Sequence, residues 1–154
     1  MGVVNVHLER QEADYHFKAT NADGLSIDID DGTAYPDGKG QGVGPMQLLM
    51  MAIGGCSGVD IASILLKGRQ RIDAFSIDVS GKKPDGVSPS VYEAVEVHFI
   101  LEGDIEPAKV QRAAELSLGK YCSVSRIIEK TAVISYRYSV NGEAFDGAVV
   151  PSPE

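Results

Sequence analysis

The chain has 154 residues, the length of a single domain of ordinary size. Hydrophobic residues make up 44% of it, which is enough to fill a core and excludes global disorder. Fourteen basic and 22 acidic side chains give a net charge of −8, which argues against nucleic-acid binding through a broad basic face. Two cysteines exclude a disulfide-rich scaffold, and the first residues lack the pattern of a secretory signal. We therefore expect a cytoplasmic protein.

The first thirty residues alternate between apolar and polar side chains with a period of two, which predicts three half-buried antiparallel strands. The apolar positions are Val4, Val6 and Leu8, then Tyr15, Phe17 and Ala19, then Leu25, Ile27 and Ile29. Residues 31–44 follow as a glycine-rich segment without periodicity. We expect a long mobile loop there, of the kind that often has a functional role.

Residues 45–67 form the longest apolar segment and predict a helix that is buried on most of its faces. Gly54, Gly55 and Gly58 each cost about 1 kcal/mol inside a helix relative to Ala, which predicts close approach of another backbone. A segment of this length could cross a bilayer. Asp60 within it and the soluble strand patterns on both sides of it favour a core helix instead.

The second half of the chain predicts strands around residues 75–79, 95–101 and 134–140. Between the last two lie a helix, capped by Asp104 or Glu106 and ended by Gly119, and a short apolar stripe over 124–128. The order β-β-β-α-β-β-α-α-β indicates one α+β domain over residues 1–154, with an irregular tail at 143–154.

The two cysteines are the first candidates for chemistry. Cys56 lies in the middle of the long apolar helix, whereas Cys122 precedes a short helix and has Lys120 and Arg126 nearby. A helix N-terminus and nearby cations favour a thiolate, so electrostatics alone ranks Cys122 as the more acidic thiol. The alternative is that both cysteines are inert buried hydrophobic residues, and the residues alone leave both interpretations open.

The histidines and the glycine-rich loop offer weaker signals. His7, His16 and His98 fall on the polar faces of their strands, so we expect them to face solvent, and they show no metal-ligand spacing. The loop lacks the Lys-Ser/Thr pair of a phosphate-binding loop, which argues against nucleotide binding.

The segment PMQLLMMAIGGC, from Pro45 to Cys56, is followed 66 residues after Cys56 by Cys122 in KYCSVS. This arrangement resembles the OsmC/Ohr family of thiol-dependent hydroperoxide reductases. That family has a proline, a leucine pair and a cysteine on a long central helix, and a second cysteine that opens a later short helix. The resemblance extends over roughly residues 13–140. The string SILLKGRQ after the first cysteine resembles a less-characterised OsmC-like branch.

The resemblance implies an intertwined homodimer with two long central helices and an active site at the subunit interface. It implies that Cys56 is the peroxidatic thiol and Cys122 the resolving thiol. An organic hydroperoxide would be reduced to an alcohol through a Cys56 sulfenic acid and a Cys56–Cys122 disulfide, which a thiol reductant would then reduce. No metal, haem or flavin cofactor is expected.

Two departures from the family pattern keep a second function open. The family's glutamate position, one residue after the proline, is Met46, and no arginine falls on the second or third strand, since Arg10 precedes them. The alternative is a non-catalytic or weakly active homologue that binds a small apolar ligand in the dimer cleft.

Asp60 lies one turn after Cys56 on the same helix face. Its negative charge disfavours a thiolate at Cys56 unless a cation such as Arg69, Arg71 or Arg126 pairs with it. We therefore expect either such a pairing or a slow peroxidase.

Overall fold

The computed structural model describes residues 2–151. The chain divides into two compact units, Met1–Leu49 and Met50–Glu154. The mixed α+β class expected from the sequence is confirmed, with two sheets and three α-helices.

The first unit contains a three-stranded antiparallel sheet in the order β1-β2-β3. Its strands are β1 (Val6–Arg10), β2 (Phe17–Asn21) and β3 (Ser26–Ile29). The turn between β2 and β3 is held by the Asn21 side chain, which accepts hydrogen bonds from the backbone N–H groups of Asp23 and Leu25. The three antiparallel strands expected from the alternation are therefore present.

The apolar side chains of these strands are more exposed than the half-buried strands expected from the sequence. Val6, Leu8, Leu25 and Ile27 line one apolar groove of the sheet and remain between 48% and 70% exposed. The alternation is correct, but this face has little cover within its own unit.

The glycine-rich segment is anchored at Asp30, which is buried. Its carboxylate accepts hydrogen bonds from the backbone N–H of Asp31 and of Gln41 and from the Tyr35 hydroxyl. Burial raises the pKa of Asp30, but these hydrogen bonds outweigh it and bring the pKa below its ordinary value. A Cβ at Gly42 would lie 2.4 Å from the backbone of Asp28, so the loop can follow β3 this closely only with glycine there.

The long helix α1 spans Pro45–Lys67, which confirms the bounds expected from the sequence. A second sheet follows in the order β4-β5-β6-β7, in which β5 and β6 run parallel and the other pairs antiparallel. The remaining elements are β4 (Arg71–Lys82), β5 (Ala94–Asp104), α2 (Pro107–Leu116), α3 (Ser123–Ile128), β6 (Val133–Val140) and β7 (Glu143–Phe145).

The parallel pairing of β5 and β6 requires a crossover connection, and α2 and α3 supply it. Gly119 does not end the first of these helices, contrary to expectation. One turn of π-helix, Ser117–Tyr121, continues the helical path instead, and Gly119 is not among the residues with a positive φ. Asp104 belongs to β5, and Glu106 precedes α2 without a capping side-chain bond.

The core of the second unit lies on one face of β5 and β6. Alternate residues of both strands are at most 4% exposed: Val95, Val97, Phe99, Leu101, Ile134, Tyr136, Tyr138 and Val140. The helices contribute Val110, Ala113, Ala114 and Leu118, which are fully buried.

Among the described residues of one chain, helix α1 buries one of its faces. Burial on most faces is therefore not reached within a single chain. Ile53, Ile61 and Leu65 are buried, whereas Met51 and Val59 are 53% and 70% exposed. By length and composition alone this helix could cross a membrane, and a third of its most apolar window is buried.

The glycines of α1 differ in what lies next to them. A Cβ at Gly54 would lie 3.1 Å from Val79, and one at Gly58 would lie 2.6 Å from Ile77. These two glycines thus admit side chains of β4, not the second backbone expected from the sequence. A Cβ at Gly55 would meet nothing within 4 Å.

Candidate thiol site

Cys56 and Cys122 lie next to each other in the second unit, together with Asp60. The two sulfur atoms and a carboxylate oxygen of Asp60 all lie within 4.8 Å of one another. Cys56 and Asp60 share a face of α1 because they are four residues apart. Cys122 reaches them from the junction between the π turn and α3.

Cys122 is a fully buried thiol at the start of α3. Burial raises its pKa to about 11, and the neighbouring Cys56 thiol adds to this rise. The backbone N–H of Ser125 donates a hydrogen bond to the sulfur at 3.4 Å and opposes the rise in the pKa without cancelling it. Burial therefore shifts the pKa of Cys122 upward, opposite to the direction expected from the helix N-terminus and the nearby cations.

The two cations expected to assist Cys122 have other partners. Arg126 forms an ion pair with Glu129 at 3.4 Å, and the ammonium group of Lys120 lies over the ring of Tyr121. Lys120 and Arg126 are therefore close to Cys122 in sequence, but their charged groups interact with other residues.

Asp60 has a buried hydroxyl as its partner. The Ser117 hydroxyl lies 2.9 Å from the Asp60 carboxylate and donates to it. Arg71, one of the cations considered for Asp60, is paired with Asp73 at 3.2 Å. The hydrogen bond to Asp60 therefore comes from Ser117, the first residue of the π turn.

Buried serines fix the backbone around the thiols. The Ser125 hydroxyl donates to the carbonyl oxygens of Leu118 and Cys122, which holds the π turn against the start of α3. The N–H of Cys122 donates to the Ser117 carbonyl at 2.7 Å and closes the same turn. The π turn thus places Ser117 and Cys122 on the same side, toward α1.

The surface next to this cluster is mixed in character. A cavity of about 280 Å³ is lined by Asp60, Ser63, Ile64, Lys67 and Tyr121. Cys56 is a half-buried residue, whereas Cys122 is fully buried. The inert interpretation, in which both cysteines are fully buried, fits Cys122 and does not fit Cys56.

The histidines are not part of this cluster, and two of them differ from expectation. His7 is exposed, as expected. His16 is buried with its Nε2 atom 2.7 Å from the Asp28 carboxylate, and His98 is half-buried with its Nε2 atom 2.8 Å from the Ser139 hydroxyl. Each of these two rings has a polar partner, which makes its burial tolerable.

Comparison with known proteins gives consistent results over most of the chain. The sequence profile of the family described as OsmC-like protein matches residues 38–137. Protein YhfA of Escherichia coli K12 is 39% identical over 97 residues, which are 62% of this chain and 72% of YhfA.

Solved structures extend the similarity to the whole fold. A hypothetical protein from Aquifex aeolicus VF5 is 30% identical with a TM-score of 0.80, over 92% of this chain and 98% of that one. The organic hydroperoxide resistance protein OhrB of Bacillus subtilis has a TM-score of 0.61 at 18% identity, over 90% of this chain and 98% of that one, which shows a shared fold alone.

Proposed function

Because the chain belongs to the OsmC-like protein family, we propose that it is a thiol-dependent peroxidase that reduces organic hydroperoxides to alcohols. The observation that carries this proposal is the pair of sulfurs, Cys56 and Cys122, within 4.8 Å of each other. Two thiols at this distance can form a disulfide after a small local shift. A reducing cytoplasm, where we place the protein, would keep both cysteines as thiols between turnovers.

The first step oxidises Cys56. Its thiolate attacks the outer oxygen of the hydroperoxide, the O–O bond breaks, and the leaving alkoxide takes up a proton to give the alcohol. Cys56 is left as a sulfenic acid. Cys56 is only half-buried, whereas Cys122 is fully buried, and this supports the assignment because hydroperoxide must reach the reacting cysteine from solvent.

The second step joins the two sulfurs. Cys122 attacks the Cys56 sulfenic acid, a disulfide forms, and the hydroxyl leaves with the Cys122 proton as water. Two equivalents of an external thiol then reduce the disulfide and are oxidised to a disulfide themselves. Burial, which raises the pKa of Cys122 to about 11, keeps this thiol protonated and unreactive until the sulfenic acid forms beside it.

Asp60 sets the speed of the first step in this proposal. Its carboxylate lies within 4.8 Å of both sulfurs and receives a hydrogen bond from a neutral hydroxyl, that of Ser117. The negative charge disfavours a thiolate at Cys56, so we expect a slow peroxidase. Asp60→Asn should accordingly speed the alkylation of Cys56 at pH 7, and slower alkylation would show that Asp60 activates the thiol.

One observation favours binding without catalysis as a second candidate. Met46 occupies the position of the family's glutamate, and neither β2 nor β3 contains an arginine. A chain without that charged pair could retain only the capacity to hold a small apolar molecule.

Thiol counting separates the two candidates. A stoichiometric pulse of an alkyl hydroperoxide should remove two thiols per chain, and peptide mapping should find a Cys56–Cys122 disulfide. Cys122→Ser should stop at a sulfenic acid that a dimedone-type reagent traps, while Cys56→Ser should lose no thiol quickly. Survival of both thiols in the parent chain, or oxidation of Cys56 beyond the sulfenic acid without a disulfide, contradicts the two-cysteine cycle.

We further propose that the protein is a homodimer in which a second copy covers the exposed face of α1. Met51, Gly55 and Val59 follow one another at intervals of four residues and form one apolar stripe that is open to solvent. The 23-residue helix offers a continuous surface for its own copy, and we expect an interface above about 2,000 Å² in total.

Sedimentation at micromolar concentration tests this assembly. The parent chain should sediment as a dimer, and Val59→Lys should shift it toward the monomer because a buried unpaired charge is costly. Val87→Lys places the same charge at another exposed valine, outside α1, and should leave the dimer intact. A monomeric parent chain would contradict the proposal.

A further inference from the structure

The cluster of Cys56, Asp60 and Cys122 has the composition of a metal site as well as of a redox pair. Two sulfurs and one carboxylate oxygen within 4.8 Å of one another form an S₂O donor set. We propose that the reduced protein binds one Zn²⁺ ion per chain through these three side chains, with the fourth position open to water. This binding does not depend on hydroperoxide reduction.

The donor types select the metal. Zn²⁺ accepts cysteine sulfur at about 2.3 Å and carboxylate oxygen at about 2.0–2.2 Å, usually in tetrahedral geometry. Thiolate ligands favour Zn²⁺ over the oxygen-seeking Mg²⁺ and Ca²⁺. The donor set therefore indicates a borderline-soft divalent ion.

The distances suit that geometry. Ligands of a tetrahedral Zn²⁺ with these bond lengths lie about 3.5–3.8 Å apart. The three donor atoms of the cluster lie within 4.8 Å of one another, so a contraction of at most about 1.3 Å completes the arrangement. Cys56 and Asp60 are both half-buried side chains of one helix, which lets a rotamer change supply that movement.

Two hydrogen bonds outside the donor set already orient the ligands. The Ser117 hydroxyl donates to Asp60, and the backbone N–H of Ser125 donates to the Cys122 sulfur. Such bonds to the ligands of a metal fix their direction and raise its affinity. The half-buried Cys56 and Asp60 leave a route from solvent to the site, which the buried Cys122 alone would not provide.

The two uses of the sulfurs exclude each other. A zinc ion needs both sulfurs as thiolates, whereas the disulfide leaves no thiolate to bind it. Oxidation of the pair should therefore release the metal, and bound metal should protect both cysteines from alkylation.

Binding of Zn²⁺ to the reduced full-length protein, in competition with a chromophoric chelator, provides the test. One equivalent per chain should bind. Asp60→Asn should weaken the affinity for Zn²⁺. Ser117→Ala removes the hydrogen bond that supports Asp60 and should weaken the affinity by about 10-fold or more. Asp85→Asn removes an exposed carboxylate elsewhere and should leave the affinity unchanged.

Cysteine involvement is read directly with Cd²⁺, whose thiolate complexes absorb in the ultraviolet by charge transfer from sulfur. The band should appear with the reduced parent chain and disappear after disulfide formation. Cys56→Ser and Cys122→Ser should each lose the band. If either variant fails to fold, the parent protein alkylated at Cys56 replaces it, and this protein should lose the band too. Absence of a saturable equivalent, or unchanged Zn²⁺ affinity after alkylation or disulfide formation, would overturn the proposal.

Discussion

The two sheets of this protein are built from the same alternation of apolar and polar residues, yet they differ in how far they bury it. In the second sheet, the inward residues of β5 and β6 are at most 4% exposed. In the first sheet, four of the apolar residues that line its groove, Val6, Leu8, Leu25 and Ile27, are 48–70% exposed. A period of two thus predicts a strand equally well in both cases, and whether the strand is covered depends on its tertiary partners.

The helical crossover accounts for the cover of the second sheet. It brings Val110, Ala113 and Leu118 into the core, and the Tyr138 hydroxyl lies 3.2 Å from the Gln111 side chain of α2. Helix α1 adds Ile53 and its close contacts to β4. Among its described residues, 2–49, the first unit contains no α-helix beyond the first residues of α1.

Two alanine substitutions make this difference measurable, and they give the largest effect that we expect. Phe99→Ala empties a fully buried site beside Phe75 and should lower the free energy of unfolding by about 3–5 kcal/mol. Ile27→Ala, at a side chain that is half exposed, should cost about 1–2 kcal/mol, less than a fully buried isoleucine.

Denaturant unfolding of both variants at the same protein concentration provides the comparison. A cost of Ile27→Ala as large as that of Phe99→Ala would show that the groove of the first sheet is covered in the assembled protein.

Most of the fold could be predicted from local sequence. Alternation predicted six of the seven strands found in residues 2–151, and the apolar segment predicted the bounds of α1. The exceptions involve partners that a local pattern does not contain. The three-residue strand β7 exists because it pairs with β6, and the helical path passes Gly119 because a π turn continues α2.

The site could be predicted less well from the residues themselves. The pairing of Cys56 with Cys122 came from the family resemblance, since no local pattern connects residues so far apart. Ser117 could not be found from local sequence, because its bond to Asp60 depends on the π turn. The pKa of Cys122 was misjudged because sequence shows neighbouring charges but not burial.

The polar face of the second sheet carries His98, whose titration should have a smaller effect on stability than the substitutions above. His98 alternates with Phe99 on β5, and it is half-buried beside Ser139. Burial lowers the pKa of His98 and the nearby Arg137 lowers it further, while Asp78 and Glu96 oppose the change.

This shift makes stability depend on pH with a definite sign. A histidine whose pKa is lower in the folded state binds fewer protons there than in the unfolded chain. Well above a pH of about 6.5, the ordinary pKa of histidine, neither state is protonated, so the group does not reduce the free energy of unfolding. Stability is lost as the pH falls from there toward the pKa of the folded state. His98→Gln keeps a side chain that can bond Ser139 but does not titrate, so it should flatten the unfolding free energy between pH 7 and 5. An equally steep loss of stability in the variant would assign the pH dependence to other groups.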